Sequence, residues 1–246
     1  MTTLYGWGPM FGCQSPSPFV MKADIHLQMF GMPFDRAMAD LDSVSKHKAP
    51  YVEDDGRIIE DSTFIRFYFE EKLGADLDYG LNGEQRAIAA AAERMFEDRL
   101  TAIVGHERWI EGDNFDRGPA AFFGAVPEPT RATVIADTRE RVRAGYEISG
   151  IGRHSRAERM QLARRDIDAA AALLGEKSFF LADYPTAIDG IAYGALSACT
   201  APIFDTELKD MVAAHANLGG YFKRMETRFF AEDRWPSMMP PQAEAA

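Results

Sequence analysis

The sequence predicts a small mixed α/β unit followed by an all-helical unit. Three observations predict it. The stretch from Lys48 to Ser62 reads as an X-Pro step, a strand, a tight Asp55-Gly56 turn, a second strand and a helix start. Residues 74–83 are rich in Gly, Asp and Asn and read as a linker. Beyond that linker, apolar residues recur at helical spacing and strand signals fade.

Residues 3–7 predict a first strand, followed by a Gly-, Pro- and Ser-rich loop from Gly8 to Pro16. Ser17-Pro18 opens a helix, since Ser is a good N-cap and Pro suits the first helical position. Val20, Ala23, Leu27 and Phe30 give it an apolar face, and Gly31 ends it. Residues 33–38 predict a weak second strand, and 40–48 are polar and irregular. Tyr51-Val52 and Ile58-Ile59 form a hairpin. A helix from Asp61 to Leu73 is expected to turn Phe64, Ile65, Tyr68 and Phe69 inward. The order β-α-β then β-β-α, with Pro50 starting the third strand, is a thioredoxin-like arrangement.

In the second unit, residues 84–108 predict a long helix carrying Ile88, Ala92, Met95, Leu100 and Ile103. Ser155 and Glu158 form a capping box for a helix that Gly175 closes. Residues 186–200 are apolar on nearly every face, which predicts a buried helix capped by Thr186 and Asp189. A last helical region runs over 205–230, with a break expected near Gly219-Gly220. The domains are expected at 1–76 and 84–236, with a loose tail at 237–246.

Hydrophobic content of 46% supports a real core in a chain of 246 residues. The net charge of −11 makes nucleic acid a poor partner. Residues 131–165 are locally basic, with nine Arg against four Asp and Glu, and read as a solvated helix face. The two cysteines, Cys13 and Cys199, build no disulfide framework. No secretory signal pattern or membrane-length apolar run is seen, so a cytoplasmic protein without a membrane partner is expected. No His, Cys and carboxylate cluster has metal-ligand spacing, and no Gly-rich phosphate loop is present.

The chain resembles the cytosolic glutathione transferase superfamily. The resemblance rests on Ser17-Pro-Phe-Val-Met-Lys22, Ala49-Pro50, Glu60-Asp61-Ser62 and Thr186-x-x-Asp189, in that order along the chain. The Gly8–Pro16 loop, Glu107-Arg-Trp-Ile110 and Gly150-Ile-Gly-Arg-His-Ser155 are similar to the failed-axon-connections and metaxin-like branch. The likeness covers residues 3–230. It implies a thioredoxin-like glutathione-binding domain, an all-helical domain, a homodimer and glutathione as cosubstrate.

It further implies that Ser17 hydrogen-bonds the glutathione sulfur, which a helix N-terminus also favours as thiolate. The alternative for Ser17 is an N-cap alone. Cys13 is a rival nucleophile, four residues earlier, and Tyr5 ranks third as a strand residue. A cis Ala49-Pro50 bond is expected to leave the Ala49 backbone for the cysteinyl part of the tripeptide. Asp61 and Ser62, at a helix N-terminus, suit the γ-glutamyl end. Lys48 is favoured over Lys46 and His47 for the glycyl carboxylate. Asp189 reads as structural, and His154 as a turn residue beside Arg153. The expected reaction is attack of the glutathione thiolate on an electrophilic, apolar substrate. A non-catalytic glutathione-binding or scaffold protein, and a thiol-disulfide oxidoreductase using Cys13, are the two alternatives.

Overall fold

The structure is a computed structural model and describes residues 1–232 and 234–236; the expected tail at 237–246 lies outside them. The N-terminal part builds one mixed sheet from β1 (Thr2–Gly6), β2 (Asp35–Met38), β3 (Tyr51–Asp54) and β4 (Arg57–Glu60). The spatial order is β2-β1-β3-β4. β1 runs parallel to β2 and antiparallel to β3, which forms the hairpin with β4. The parallel pair needs a crossover, and α1 (Pro18–Met29) supplies it.

Leu4, Val52 and Ile59 from the sheet meet Ala23 and Leu27 of α1 and Ile65 and Phe69 of α2 (Ser62–Leu73). The expected inward face of α2 is only half right. Ile65 and Phe69 are fully buried, but Phe64 is 56% exposed and Tyr68 lies partly out. The reason is spacing: Ile65 and Phe69 share one i, i+4 stripe, and Phe64 sits a helical step off it. Tyr68 instead donates its hydroxyl to Asp54 at 2.6 Å.

The residues read as a linker are pinned rather than free. Leu77 and Leu81 are buried, and Asp78 accepts from Arg66 at 2.7 Å and from the backbone N–H of Ala187 at 3.2 Å.

The helical part runs through α3 (Gly83–Arg94), a π-helical segment (Met95–Leu100) and α4 (Thr101–Trp109). After short α5 (Asn114–Arg117) come α6 (Glu128–Ser149), α7 (Arg156–Leu174) and α8 (Ala187–Cys199). α9 (Leu208–Ala213) and α10 (Ala216–Phe229) follow. α10 passes through Gly219 and Gly220 without the expected break; the chain instead turns at His215, which is extended.

α8 is the centre of this layer. Its capping box forms as the sequence predicts, with Asp189 accepting from the Thr186 N–H at 2.8 Å and the Phe180 N–H at 3.0 Å. α1 and α8 lie close because two glycines leave room. A Cβ on Gly194 would come within 2.6 Å of the Pro18 carbonyl oxygen, and one on Gly190 within 2.8 Å of His26 Nε2. The start of α1, where Ser17 sits, is thus seated directly on the helical core.

Candidate active site

Ser17 is the N-cap of α1, and its Oγ accepts the Val20 N–H at 3.3 Å. Capping uses a lone pair of the hydroxyl, and no described residue accepts its hydrogen. Ser17 is half-buried and lines a cavity of about 700 Å³ between the sheet part and α4. Trp7, Phe19, Trp109 and Phe122 give that largely apolar cavity aromatic walls, while Glu97, Arg108 and Tyr146 add polar groups.

Cys13 does not share this wall. It lies in a tight turn closed by paired backbone bonds between Met10 and Cys13, at 2.9 and 3.1 Å. Phe11 at the tip packs edge-on against Phe204 at 5.3 Å and Phe122 at 5.6 Å. The turn is thus anchored to the helical part, and the Cys13 thiol points at the Ser197 carbonyl oxygen at 3.7 Å. Burial raises the Cys13 pKa, against the pull of Arg108, so the thiol form is favoured. Tyr5 is also elsewhere: its ring stacks on Tyr51 at 4.7 Å and its hydroxyl reaches Glu53 at 3.2 Å.

The Ala49-Pro50 peptide is cis. The Pro50 carbonyl accepts the Asp61 N–H at 3.3 Å, which holds the start of β3 against the start of α2. Asp61 caps α2 through its Oδ1 and the Thr63 N–H at 2.9 Å, with a positive φ of 86°. Ser62 is buried beside it, whereas Lys48 is exposed. Lys46 is occupied: its backbone N–H and its ammonium both bond to Glu60, at 2.7 and 3.2 Å. His47 bonds the Leu41 carbonyl at 2.9 Å.

Two links join this surface to the Ser17 cavity. Tyr51, next to Pro50, accepts the Asp40 N–H at 3.2 Å, between cavity residues Ala39 and Leu41. Lys22, fully buried, donates to Thr63 Oγ1 at 3.0 Å, Glu93 at 2.5 Å and cavity residue Glu97 at 2.6 Å. Breaking such a buried group of charges typically costs several kcal/mol, so the link is stiff.

Glu97 faces the cavity from the π-helical segment, an irregularity that helices often carry at functional sites. Periodicity alone does not reveal it. Arg108 was visible only as part of the Glu107–Ile110 motif. Its Nη atoms donate to the carbonyls of Pro16 at 2.9 Å and Ala198 at 2.8 Å. Its Nε has no partner, and among the described residues no carboxylate pairs with it. Burial lowers its pKa, which marks an uncompensated cation under the cavity.

Tyr146, from α6, reaches the cavity over Gly105, where a Cβ would lie 2.0 Å from its hydroxyl oxygen. Burial pushes its pKa up to about 12, against the opposing field of Arg108. The Gly150–Ser155 motif explains its placement. A Cβ on Gly152 would come within 2.9 Å of the backbone at Tyr146 and Glu147, so this glycine lets the turn close on the end of α6. Arg153 and His154 themselves are exposed.

Comparison with known proteins gives the family and the fold. Residues 18–114 match the family model described as Glutathione S-transferase N-terminal domain, and residues 163–225 match Glutathione S-transferase, C-terminal domain. The chain is 33% identical to an isoprene-epoxide glutathione S-transferase of Rhodococcus sp. (strain AD45), covering 80% of this chain and 85% of that one. It is 27% identical to Failed axon connections of Drosophila melanogaster, covering 89% of this chain and 55% of that one. Metaxin-2 of Homo sapiens is 24% identical, with coverage of 85% and 80%. Among solved structures, a beta-etherase of Sphingobium sp. strain SYK-6 superposes with a TM-score of 0.63 at 13% identity, over 92% and 94% of the two chains. A glutathione S-transferase of Methylobacterium radiotolerans, in complex with glutathione sulfonate, gives 0.60 at 17% identity, over 97% of each chain.

Proposed function

This chain belongs to the glutathione S-transferase family, and on that premise we propose that it is an active transferase joining glutathione to a small, apolar electrophile. The observation that carries the proposal is Ser17: a helix-capping hydroxyl with its hydrogen uncommitted, in the wall of an aromatic cavity beside an uncompensated Arg108. A helix N-terminus, a hydroxyl donor and a nearby cation all favour a thiolate over a thiol. Ser17 is the group we assign to the glutathione sulfur.

The tripeptide would lie along the surface from Ala49-Pro50 to Asp61-Ser62. The Ala49 backbone suits its cysteinyl unit. The N-terminus of α2 and Ser62 suit the γ-glutamyl carboxylate, and Asp61 Oδ2 suits the ammonium. Lys48, exposed at the rim, suits the glycyl carboxylate. The electrophile would enter the aromatic cavity. The relative named for isoprene epoxide supports starting with small epoxides.

We place the protein in the cytoplasm as a homodimer of two-domain subunits, with residues 1–76 and 84–236 as the domains. The exposed Phe64 and Phe67 on α2, 56% and 52% accessible, supply apolar surface for a second copy. Among the described residues no helix is long and apolar enough to cross a membrane.

The metaxin and Failed axon connections relatives fit a second reading, a binding or scaffold protein without turnover. Calorimetry with glutathione up to millimolar concentration, paired with turnover of a general electrophile by the wild type and Ser17→Ala, separates them. Binding with turnover that falls in the variant supports the transferase. Binding without turnover supports the scaffold, and no binding sinks both.

A further inference from the structure

Tyr146 is built into its place more firmly than cavity lining requires. Its hydroxyl sits where Gly105 leaves out a side chain, and its backbone is covered at Gly152, where a Cβ would collide. Its ring packs on His106 with centroids 5.4 Å apart. The residue is only partly covered, and no described residue bonds its hydroxyl, which is free for a ligand in the cavity. It opens into the same cavity as Ser17, and Arg108 underlies both.

Resting on the transferase reading above, we propose that Tyr146 is a catalytic acid for electrophiles that release an oxygen anion, with epoxides as the substrate class. As the glutathione sulfur forms its bond to an epoxide carbon, the carbon–oxygen bond breaks and its electrons go to oxygen. That oxygen takes the Tyr146 proton and becomes a hydroxyl. The tyrosinate left behind faces the Arg108 charge and regains a proton from water in the open cavity. Together with the thiol proton released earlier, the sum is glutathione plus epoxide giving a hydroxy thioether.

A phenol is protonated at neutral pH, as a donor must be, and although burial pushes the Tyr146 pKa up to about 12 it stays more acidic than the alcohol that the epoxide oxygen becomes. Ser17 does not fill this role, because its hydrogen is assigned to the sulfur and its oxygen to Val20. Each hydroxyl thus faces one developing or leaving charge.

The test compares two electrophiles of similar size and aromatic character, styrene oxide and benzyl chloride. Chloride departs without a proton, so only the epoxide needs the acid. Tyr146→Phe is expected to lower kcat/KM for styrene oxide about 100-fold relative to that for benzyl chloride. Gly105→Ala, which displaces the hydroxyl while keeping it, is expected to shift the same ratio in the same direction and serves if Tyr146→Phe misfolds. Equal losses on both substrates, or none on either, overturn the proposal. Wild-type protein that conjugates benzyl chloride but not styrene oxide leaves the transferase reading standing and overturns this one. Failure on both electrophiles despite glutathione binding defeats both.

Discussion

The Lys48–Ser62 surface and the α4–α6 wall of the cavity meet around Ser17, yet they are built on different principles. The first is local. A proline, a turn and a helix cap follow one another within a few residues, and their hydrogen bonds stay short in sequence, as between Pro50 and Asp61. The second is made across the chain: Arg108 holds the carbonyls of Pro16 and Ala198, and Tyr146 rests over Gly105. Under the proposed function, glutathione would be recognised on the local surface, and the groups that would set charge at the reacting atoms lie on the non-local wall. Ser17 belongs to both.

The largest expected effect is at that junction. Ser17→Ala should lower kcat about 100-fold while moving the glutathione Kd by less than about threefold, as expected of a hydroxyl assigned to the thiolate rather than to the tripeptide frame. Turnover and calorimetry measure the two. Losing the cap also costs about 1 kcal/mol of stability, which a melt detects.

The helical part behind that wall should be more fragile than the local surface. Asp189→Ala leaves the Thr186 and Phe180 N–H groups buried without acceptors and should cost about 3 kcal/mol or more by denaturant unfolding. Asp61→Ala, at an exposed cap, should cost about 1 kcal/mol. Similar losses at both caps would break the contrast.

Acid should report the sheet part and the helical part with opposite sign. Burial raises the Asp54 pKa, but hydrogen bonds from Lys72, Tyr68 and Thr2 outweigh it and bring it down to about 2. Its contribution is present above the unfolded value near 3.8 and lost as pH falls toward 2. Lys72 is partly solvated, so this amounts to about 1–2 kcal/mol. Asp54→Asn should remove that slope in pH-dependent unfolding. Asp189 is pushed up to about 6 by burial, so its contribution is fully present below about 3.8 and declines as pH rises through 6.

Much of the architecture was legible because its signals are local. Ser17-Pro18, Asp55-Gly56, Asp61-Ser62 and Ser155–Glu158 each encode a cap or turn, and each forms. The fully buried α8 was legible from composition. The expected break at Gly219-Gly220 fails because a helix tolerates glycine when its apolar face, here Leu218, Tyr221 and Met225, is buried. The π-helical segment and the roles of Lys22, Arg108 and Tyr146 were not legible, since each depends on which helix lies opposite. The Glu107–Ile110 and Gly150–Ser155 motifs marked the right places without saying what they hold.

The most direct test of the account is the acidity of glutathione's thiol in the bound state, followed by the ultraviolet absorbance of the thiolate as pH is raised. Wild-type protein should hold the thiol pKa at least about one unit below the ordinary value near 8.5, and Ser17→Ala should return it close to that value. A bound thiol that titrates alike in both proteins would contradict the assignment of Ser17 to the sulfur.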